Sequence, residues 1–140
     1  MLRHASAHWA GGLKDGKGTI DSKSGALKGV PYSFSQRFED APGTNPEELI
    51  AAAHAACFSM AFSGELGKAG MAPQSIDTKA SLTFEKTNVG FTITTIHLDS
   101  TAKVPGADRA KFLAAAEAAK KTCPVSRVLN AIVTLDAKLA

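Results

Sequence analysis

The sequence predicts an α+β protein, and three observations carry that expectation. Residues 31–38 and 75–85 alternate apolar and polar positions with a period of two, as half-buried strands do. Residues 49–62 are apolar almost all round and follow a strong helix-start signal. Strand and helix runs are mixed without a regular βαβ alternation, which disfavours a doubly wound sheet.

Taken in order, residues 4–10 and 17–22 read as short strands around a turn at Gly11-Gly12, with Lys14-Asp15-Gly16 as a second turn signal. The strand expected over 31–38 puts Tyr32, Phe34, Gln36 and Phe38 on one face. Ser33, Ser35 and Arg37 take the other, so Arg37 points to solvent or into a polar site. Asp40-Ala41-Pro42-Gly43 breaks the run. A helix then starts: Asn45 can cap it, Pro46 suits its first position, and Glu48 stands three after the cap as in a capping box. Glu47 and Glu48 favour the positive helix end. The helix is expected to reach about Leu66, with Gly67 or Gly70 as its stop. A helix apolar on every side is buried on every side. A chain of 140 residues rarely surrounds one of this length, so the sequence predicts a dimer interface.

Residues 75–85 return as a strand with Ile76, Thr78, Ala80, Leu82 and Phe84 on one face. Asn88-Val89-Gly90 turns the chain into a partner strand over 90–100, whose apolar phase shifts between Ile93 and Ile96 and predicts a bulge. After a turn at Val104-Pro105-Gly106, an amphipathic helix over 108–121 places Phe112, Leu113 and Ala116 inward. Pro124 ends or kinks it. A short helical stretch and a last strand, 131–139, close the chain.

The length fits a single domain, 1–140. A hydrophobic fraction of 44% against 21% charged residues excludes disorder. The net charge is +3, but the 16 Lys and Arg are scattered, with no basic run longer than Lys120-Lys121. No basic face with interleaved aromatics emerges, which speaks against nucleic-acid binding. The first residues hold no apolar stretch of signal-peptide length, and 49–62 is shorter than the roughly 20 residues that span a bilayer. The expectation is a cytoplasmic protein without a membrane partner, whose two cysteines are free thiols: buried filler or redox chemistry.

Cys57 lies within the buried helix. Three neighbours turn it from filler towards chemistry: His54, three residues earlier; Arg37, facing away from the aromatic residues; and Glu47, at the helix start. The thiolate is the reactive species, and a guanidinium nearby lowers a thiol pKa. A mid-helix cysteine gains little from the helix dipole, so the cation must come from outside the helix, and Arg37 is the candidate. Ten residues of straight helix rise about 15 Å, so Glu47 cannot reach Cys57 but can hold Arg37; a helix-dipole acid is its simpler role. Cys123 precedes Pro124 where one helix ends and another can begin, positions with opposite effects on a thiol. The cysteines form no CxxC, which excludes a thioredoxin-type motif and a zinc ribbon. Two thiols brought together by folding fit resolution of a sulfenate. His4, His8, His54 and His97 are dispersed and give no metal set, and the N-terminal glycines match no phosphate loop.

These segments have a known counterpart. Gly43-Thr44-Asn45-Pro46-Glu47-Glu48-Leu49-Ile50 followed by Ala53-His54-Ala55-Ala56-Cys57-Phe58-Ser59-Met60 resembles the first signature of the OsmC/Ohr peroxiredoxin-like family, and Cys123-Pro124-Val125-Ser126 resembles its second. Ala7-His8-Trp9, Gly16-Lys17-Gly18-Thr19 and the run from Pro31 to Glu39 resemble the OsmC branch. The resemblance covers essentially the whole chain. It implies an OsmC-like fold: antiparallel sheets around a long buried central helix, in an intertwined homodimer with sites at the subunit interface. It implies a peroxidase of osmotic and oxidative stress defence that reduces organic hydroperoxides to alcohols. In that analogy Cys57 is the peroxidatic cysteine and Cys123 the resolving one, Arg37 activates the thiol and polarises the peroxide, and Glu47 orients Arg37. The reductant it suggests is a lipoyl-type dithiol, and no flavin, haem or metal cofactor is required. Phe34, Phe38, Phe58 and Met60 are candidates for an apolar substrate pocket, with core packing as the alternative for each. The rival to the enzyme is a non-catalytic redox sensor or stress-binding protein whose dithiol switches a partner interaction.

Overall fold

Glycine turns close a three-stranded antiparallel sheet at the start of the chain. In the computed structural model, which describes every residue from Met1 to Ala140, β1 (Ala5–Ala10), β2 (Lys17–Ser22) and β3 (Val30–Ser33) pair in that order. Close packing depends on Gly18, where a Cβ would run into the Tyr32 ring.

The strand expected over 31–38 is only half present. Val30–Ser33 is strand, whereas Phe34–Phe38 forms a short helix, α1. Phe34 and Phe38 are four apart, a spacing that satisfies strand alternation and a helical turn alike. Local contacts favour the helix. The two rings pack at a tilt with centroids 4.7 Å apart, and the Ser33 hydroxyl donates to Gln36 Oε1 at 3.0 Å. Arg37 therefore stands on a helix and not on a strand face. Asp40 (φ 56°) and Gly43 (φ 126°) then turn the chain. Asn45 ties this turn to the next helix: its amide donates to the Gln36 carbonyl at 3.0 Å, and its Oδ1 accepts the Glu48 N–H at 2.8 Å. The reciprocal arm of the capping box is replaced, because the Glu48 carboxylate accepts from the Thr44 hydroxyl at 2.7 Å.

The chain divides into two compact units, Met1–Leu49 and Ile50–Ala140. Helix α2 (Pro46–Lys68) begins in the first and runs on through the second. The second unit holds β4 (Ser75–Thr87), β5 (Gly90–Lys103), α3 (Arg109–Thr122), α4 (Pro124–Val128) and β6 (Ile132–Leu139). Strands β4 and β5 are antiparallel. Thr83 faces Thr95 and Phe84 faces Ile93, so Thr94 is the extra residue of the expected bulge. β6 lies parallel to β5, which makes this sheet mixed and corrects the antiparallel expectation. The reason is the connection: α3 and α4 carry the chain back before β6 begins, as a parallel crossover requires.

In the second unit α2 buries His54, Phe58, Phe62 and Leu66, a face of four-residue spacing. Phe62 packs between Phe58 and Phe112, with ring centroids 5.6 and 5.2 Å away. Ser59 donates to Thr78 Oγ1 at 2.8 Å, and Thr78 is 2.9 Å from the buried Ser100 hydroxyl, so the polar groups beside this core are paired. Ala52, Ala53, Ala56, Met60, Ser63 and Gly64 are exposed, and a helix buried on all sides is not what one chain contains. A three-stranded sheet covers only one face. At 23 residues α2 also exceeds the apolar run read from sequence, and its length and composition would suffice to cross a bilayer. Helices at the centre of a folded core meet the same criterion, and Phe58, Phe62 and Leu66 belong to the core here. On α3, capped by Asp108 accepting the Lys111 N–H at 2.9 Å, the inward face is Phe112, Ala115, Ala116 and Ala119. Leu113, expected inward, falls beside that stripe and is 39% exposed.

Candidate active site

Each cysteine is placed by a feature already visible in the chain's local grammar. Cys57 lies one residue before Phe58 on α2 and is half-buried; Cys123 is fully buried where α3 ends and α4 begins. Pro124, which cannot continue a helix but can start one, makes Cys123 at once the C-cap of α3 and the N-cap of α4. Folding brings the two sulfurs to 3.0 Å across 66 residues of sequence.

Cys123 Sγ donates to Cys57 Sγ, and the surroundings act differently on the two thiols. Burial pushes the Cys57 thiol up, its hydrogen bond and charge interaction with Cys123 push it further, and the Val125 N–H pulls it back only in part. Burial also acts to raise Cys123. There it is outweighed by the Ser126 N–H, the Cys57 thiol, the Ser126 hydroxyl and the Val125 N–H, which together bring Cys123 below its ordinary value.

His54, singled out because it precedes Cys57 by one turn, serves the other cysteine's neighbour. It is fully buried, with Nε2 2.7 Å from the Ser126 hydroxyl, and burial lowers its pKa. Sequence reasoning passed over Ser126. The signal was present: it stands three residues after the capping Cys123, the position whose N–H turns towards the cap side chain.

Arg37 and Glu47 meet within the first unit. Arg37 Nε donates to both Glu47 carboxylate oxygens, at 3.0 and 3.2 Å, and Nη2 donates to Oε1 at 2.7 Å. Glu47 is buried at 8% exposure, and its position at the helix start aims it at α1 as well as serving the dipole. The guanidinium also lies 5.3 Å from the Phe38 ring centroid, within cation–π range. Beside it opens an apolar cavity of about 260 Å³ lined by Trp9, Leu13, Tyr32, Phe34, Arg37 and Phe38. Of the four pocket candidates, Phe34 and Phe38 line this cavity. Phe58 is core, and Met60 is 80% exposed on α2. Trp9, Leu13 and Tyr32 were missed, because pairing of β1 with β2 and β2 with β3 is what gathers them. His4, His8 and His97 stand apart, and no cluster of His, Cys, Asp or Glu fit for a metal forms anywhere in the chain.

Two free thiols at this distance can form a disulfide, and one of them is reachable from solvent. Comparison with known proteins gives the same chemistry a lineage. The family model described as OsmC-like protein matches residues 38–138. Peroxiredoxin OsmC of Escherichia coli (strain K12) is 53% identical over 137 residues, which cover 98% of this chain and 96% of that one. The structure of the organic hydroperoxide resistance protein OhrB of Bacillus subtilis superposes with a TM-score of 0.70 at 26% identity, covering 96% of this chain and 98% of that one. An organic hydroperoxide resistance protein OsmC from Legionella pneumophila shares the fold with a TM-score of 0.74 at 23% identity, over 99% and 97% of the two chains. With its thiol pair closed to 3.0 Å and a relative identical at half its positions, the chain belongs to the OsmC/Ohr family and is a two-cysteine, thiol-dependent peroxidase.

Proposed function

We propose that the protein reduces organic hydroperoxides to alcohols, with Cys57 attacking and Cys123 resolving. One observation carries the division of labour: Cys57 is reachable and Cys123 is fully buried 3.0 Å behind it. A peroxide meets Cys57 first. Only the thiolate attacks, so Cys57 first releases its proton to solvent. The Cys57 thiolate displaces on the distal peroxide oxygen, the O–O bond breaks, and the alkoxide leaves as alcohol on taking a proton. Cys57 is left as a sulfenic acid. Cys123 then attacks the Cys57 sulfur, the S–O bond breaks, and water departs with the proton that Cys123 gives up. A dithiol, of lipoyl type by family analogy, reduces the disulfide by two thiol exchanges.

Arg37 is proposed as the cation that favours the Cys57 thiolate and the developing alkoxide, with Glu47 fixing its plane. The support is the two-oxygen grip of Glu47 on Arg37 and the apolar cavity beside the guanidinium, suited to the carbon part of an organic peroxide. We further propose that residues 1–140 act as one OsmC-like domain, in the cytoplasm, as a homodimer. The exposed face of Ala52, Ala53, Ala56 and Met60 supports the dimer, since it gives α2 an apolar surface to share with a second copy.

The test is intact mass with thiol counting before and after one equivalent of cumene hydroperoxide. Cys57→Ser should consume no peroxide. Cys123→Ser should gain one oxygen atom that a sulfenate reagent traps. The reverse pattern would exchange the two roles, and a single oxidation without dithiol-driven turnover would mark a sensor.

A further inference from the structure

We propose that Trp9 is a specificity-determining residue, one wall of a cavity that selects hydroperoxides whose carbon part is an aromatic ring. The role rests on the reading of this cavity as the seat of the peroxide's carbon part, and the cavity lies wholly within the first unit. Strand register builds the wall. Trp9 on β1 faces Gly18 on β2, and Gly18 faces Tyr32 on β3, so the three stand in one row across the sheet. Residues directly opposite each other share a face of the sheet. With no side chain at the middle position, the two outer rings lean together over it, their centroids 5.4 Å apart and their planes tilted by 45°. A Cβ at Gly18 would run into the Tyr32 ring, and one at Gly16 would stand 2.7 Å from Trp9 Cζ2, so both rings lie close against bare backbone. The indole N–H donates to the Gly11 carbonyl at 3.0 Å. An indole has no other donor, so Trp9 offers the cavity its ring and no hydrogen bond.

The rest of the lining is of the same kind. Phe34 and Phe38 of α1 pack at 4.7 Å and border the cavity together with Arg37, the group proposed to meet the peroxide. The volume, about 260 Å³, lies at the lower edge of the roughly 300–1,000 Å³ that drug-sized ligands occupy, which suits a single ring with small substituents. An aromatic ring gains from tilted or offset aromatic neighbours beyond the area it buries. A saturated ring of similar bulk gains the burial alone. Four rings around one small cavity therefore discriminate by ring character where size does not.

Trp9 is the only tryptophan of the chain, so its fluorescence reports on this cavity. The reduced protein is titrated with cumyl alcohol, the product of cumene hydroperoxide, while Trp9 emission is followed. With a dithiol present, kcat/KM is then measured for cumene hydroperoxide and for p-menthane hydroperoxide, which carries the same kind of tertiary peroxide on a saturated ring. The alcohol should change the emission saturably, and the native protein should favour cumene hydroperoxide by about 2–10-fold, the value of one aromatic contact. Trp9→Phe keeps a ring and should keep most of that preference. Trp9→Leu keeps apolar bulk without a ring and should bring the ratio near one by slowing the aryl substrate. A native protein without preference, or a Trp9→Leu protein with the native ratio, would overturn the role given to Trp9 while a saturable emission change leaves the seat standing. Inhibition of turnover by cumyl alcohol with no change in emission would instead overturn the seat, so the two failures are distinct. Thermal melts check that each variant folds, and Trp9→Met, also apolar and ringless, takes the place of a Trp9→Leu protein that does not.

Discussion

Replacing Glu47 by Gln keeps the shape of the side chain and removes its charge. In the native chain Arg37 places two nitrogens on this carboxylate, through contacts of 2.7, 3.0 and 3.2 Å. In the variant one oxygen can still accept, but the amide nitrogen faces a guanidinium N–H, so about one charge-assisted hydrogen bond is lost, worth about 1.5–3 kcal/mol when desolvated. The Arg37 side chain is 40% exposed and Glu47 10%, so solvent screening reduces the loss to about 1 kcal/mol. For a chain of this length that is a fall in Tm of about 3–5 °C. On the role proposed for Arg37 the functional effect should be larger, because a released guanidinium would lose the fixed plane that role requires. Misplacement of a positioned group by about 1 Å can cost up to about 100-fold, and a loss of about 10–100-fold in kcat/KM is expected. Steady-state consumption of cumene hydroperoxide with a dithiol, alongside a thermal melt, reads both numbers. A Glu47→Gln protein with the lowered Tm and native kcat/KM would refute the role given to Glu47 and return it to a helix-dipole acid. Glu47→Asp, which keeps the charge on a shorter stem, should fall between the two.

Further outcomes follow from the core, the sheet and the buried histidine. Phe62→Ala, removing a ring packed between Phe58 and Phe112, should lower unfolding free energy by about 3–5 kcal/mol in urea titration. Gly18→Ala forces a Cβ against the Tyr32 ring and within 2.7 Å of the His8 carbonyl oxygen. It should destabilise the chain by about 1–3 kcal/mol despite the entropy an alanine removes from the unfolded state. His54 has a folded pKa below its ordinary 6.5, so folding favours the neutral ring. Its contribution to stability is present above that ordinary value and is lost as pH falls from there through the depressed folded value. The urea midpoint should therefore decline over that acid range, and His54→Gln should flatten the decline.

The sequence carried the local elements well where two signals agreed. Asn45, Pro46 and Glu48 marked the start of α2, and the phase shift between Ile93 and Ile96 located the bulge that Thr94 forms against β4. It misled where one pattern served two structures. Phe34 and Phe38 fit a strand and a helical turn equally, and the tie was broken by the Ser33–Gln36 contact, which no period reveals. The parallel pairing of β6 was hidden for another reason: strand direction is set by the connection through α3 and α4, not by the composition of residues 132–139. In the site, the cysteines and the Arg37–Glu47 pair were open to a reader of residue types. The unequal surroundings of the two thiols were not, because the backbone donors at Val125 and Ser126 become directional only once Pro124 has started a new helical turn.

The span between the two thiols has a mechanical consequence. Oxidation ties positions 66 residues apart and closes nearly half the chain into a covalent loop. In the chain-entropy description such a tether disfavours the unfolded ensemble by about 4 kcal/mol. The catalyst is thus reinforced at the moment it has spent its reducing equivalents, and relaxes when the disulfide is reduced. Susceptibility to a brief protease pulse in denaturant becomes a gauge of how much of the population is waiting for electrons.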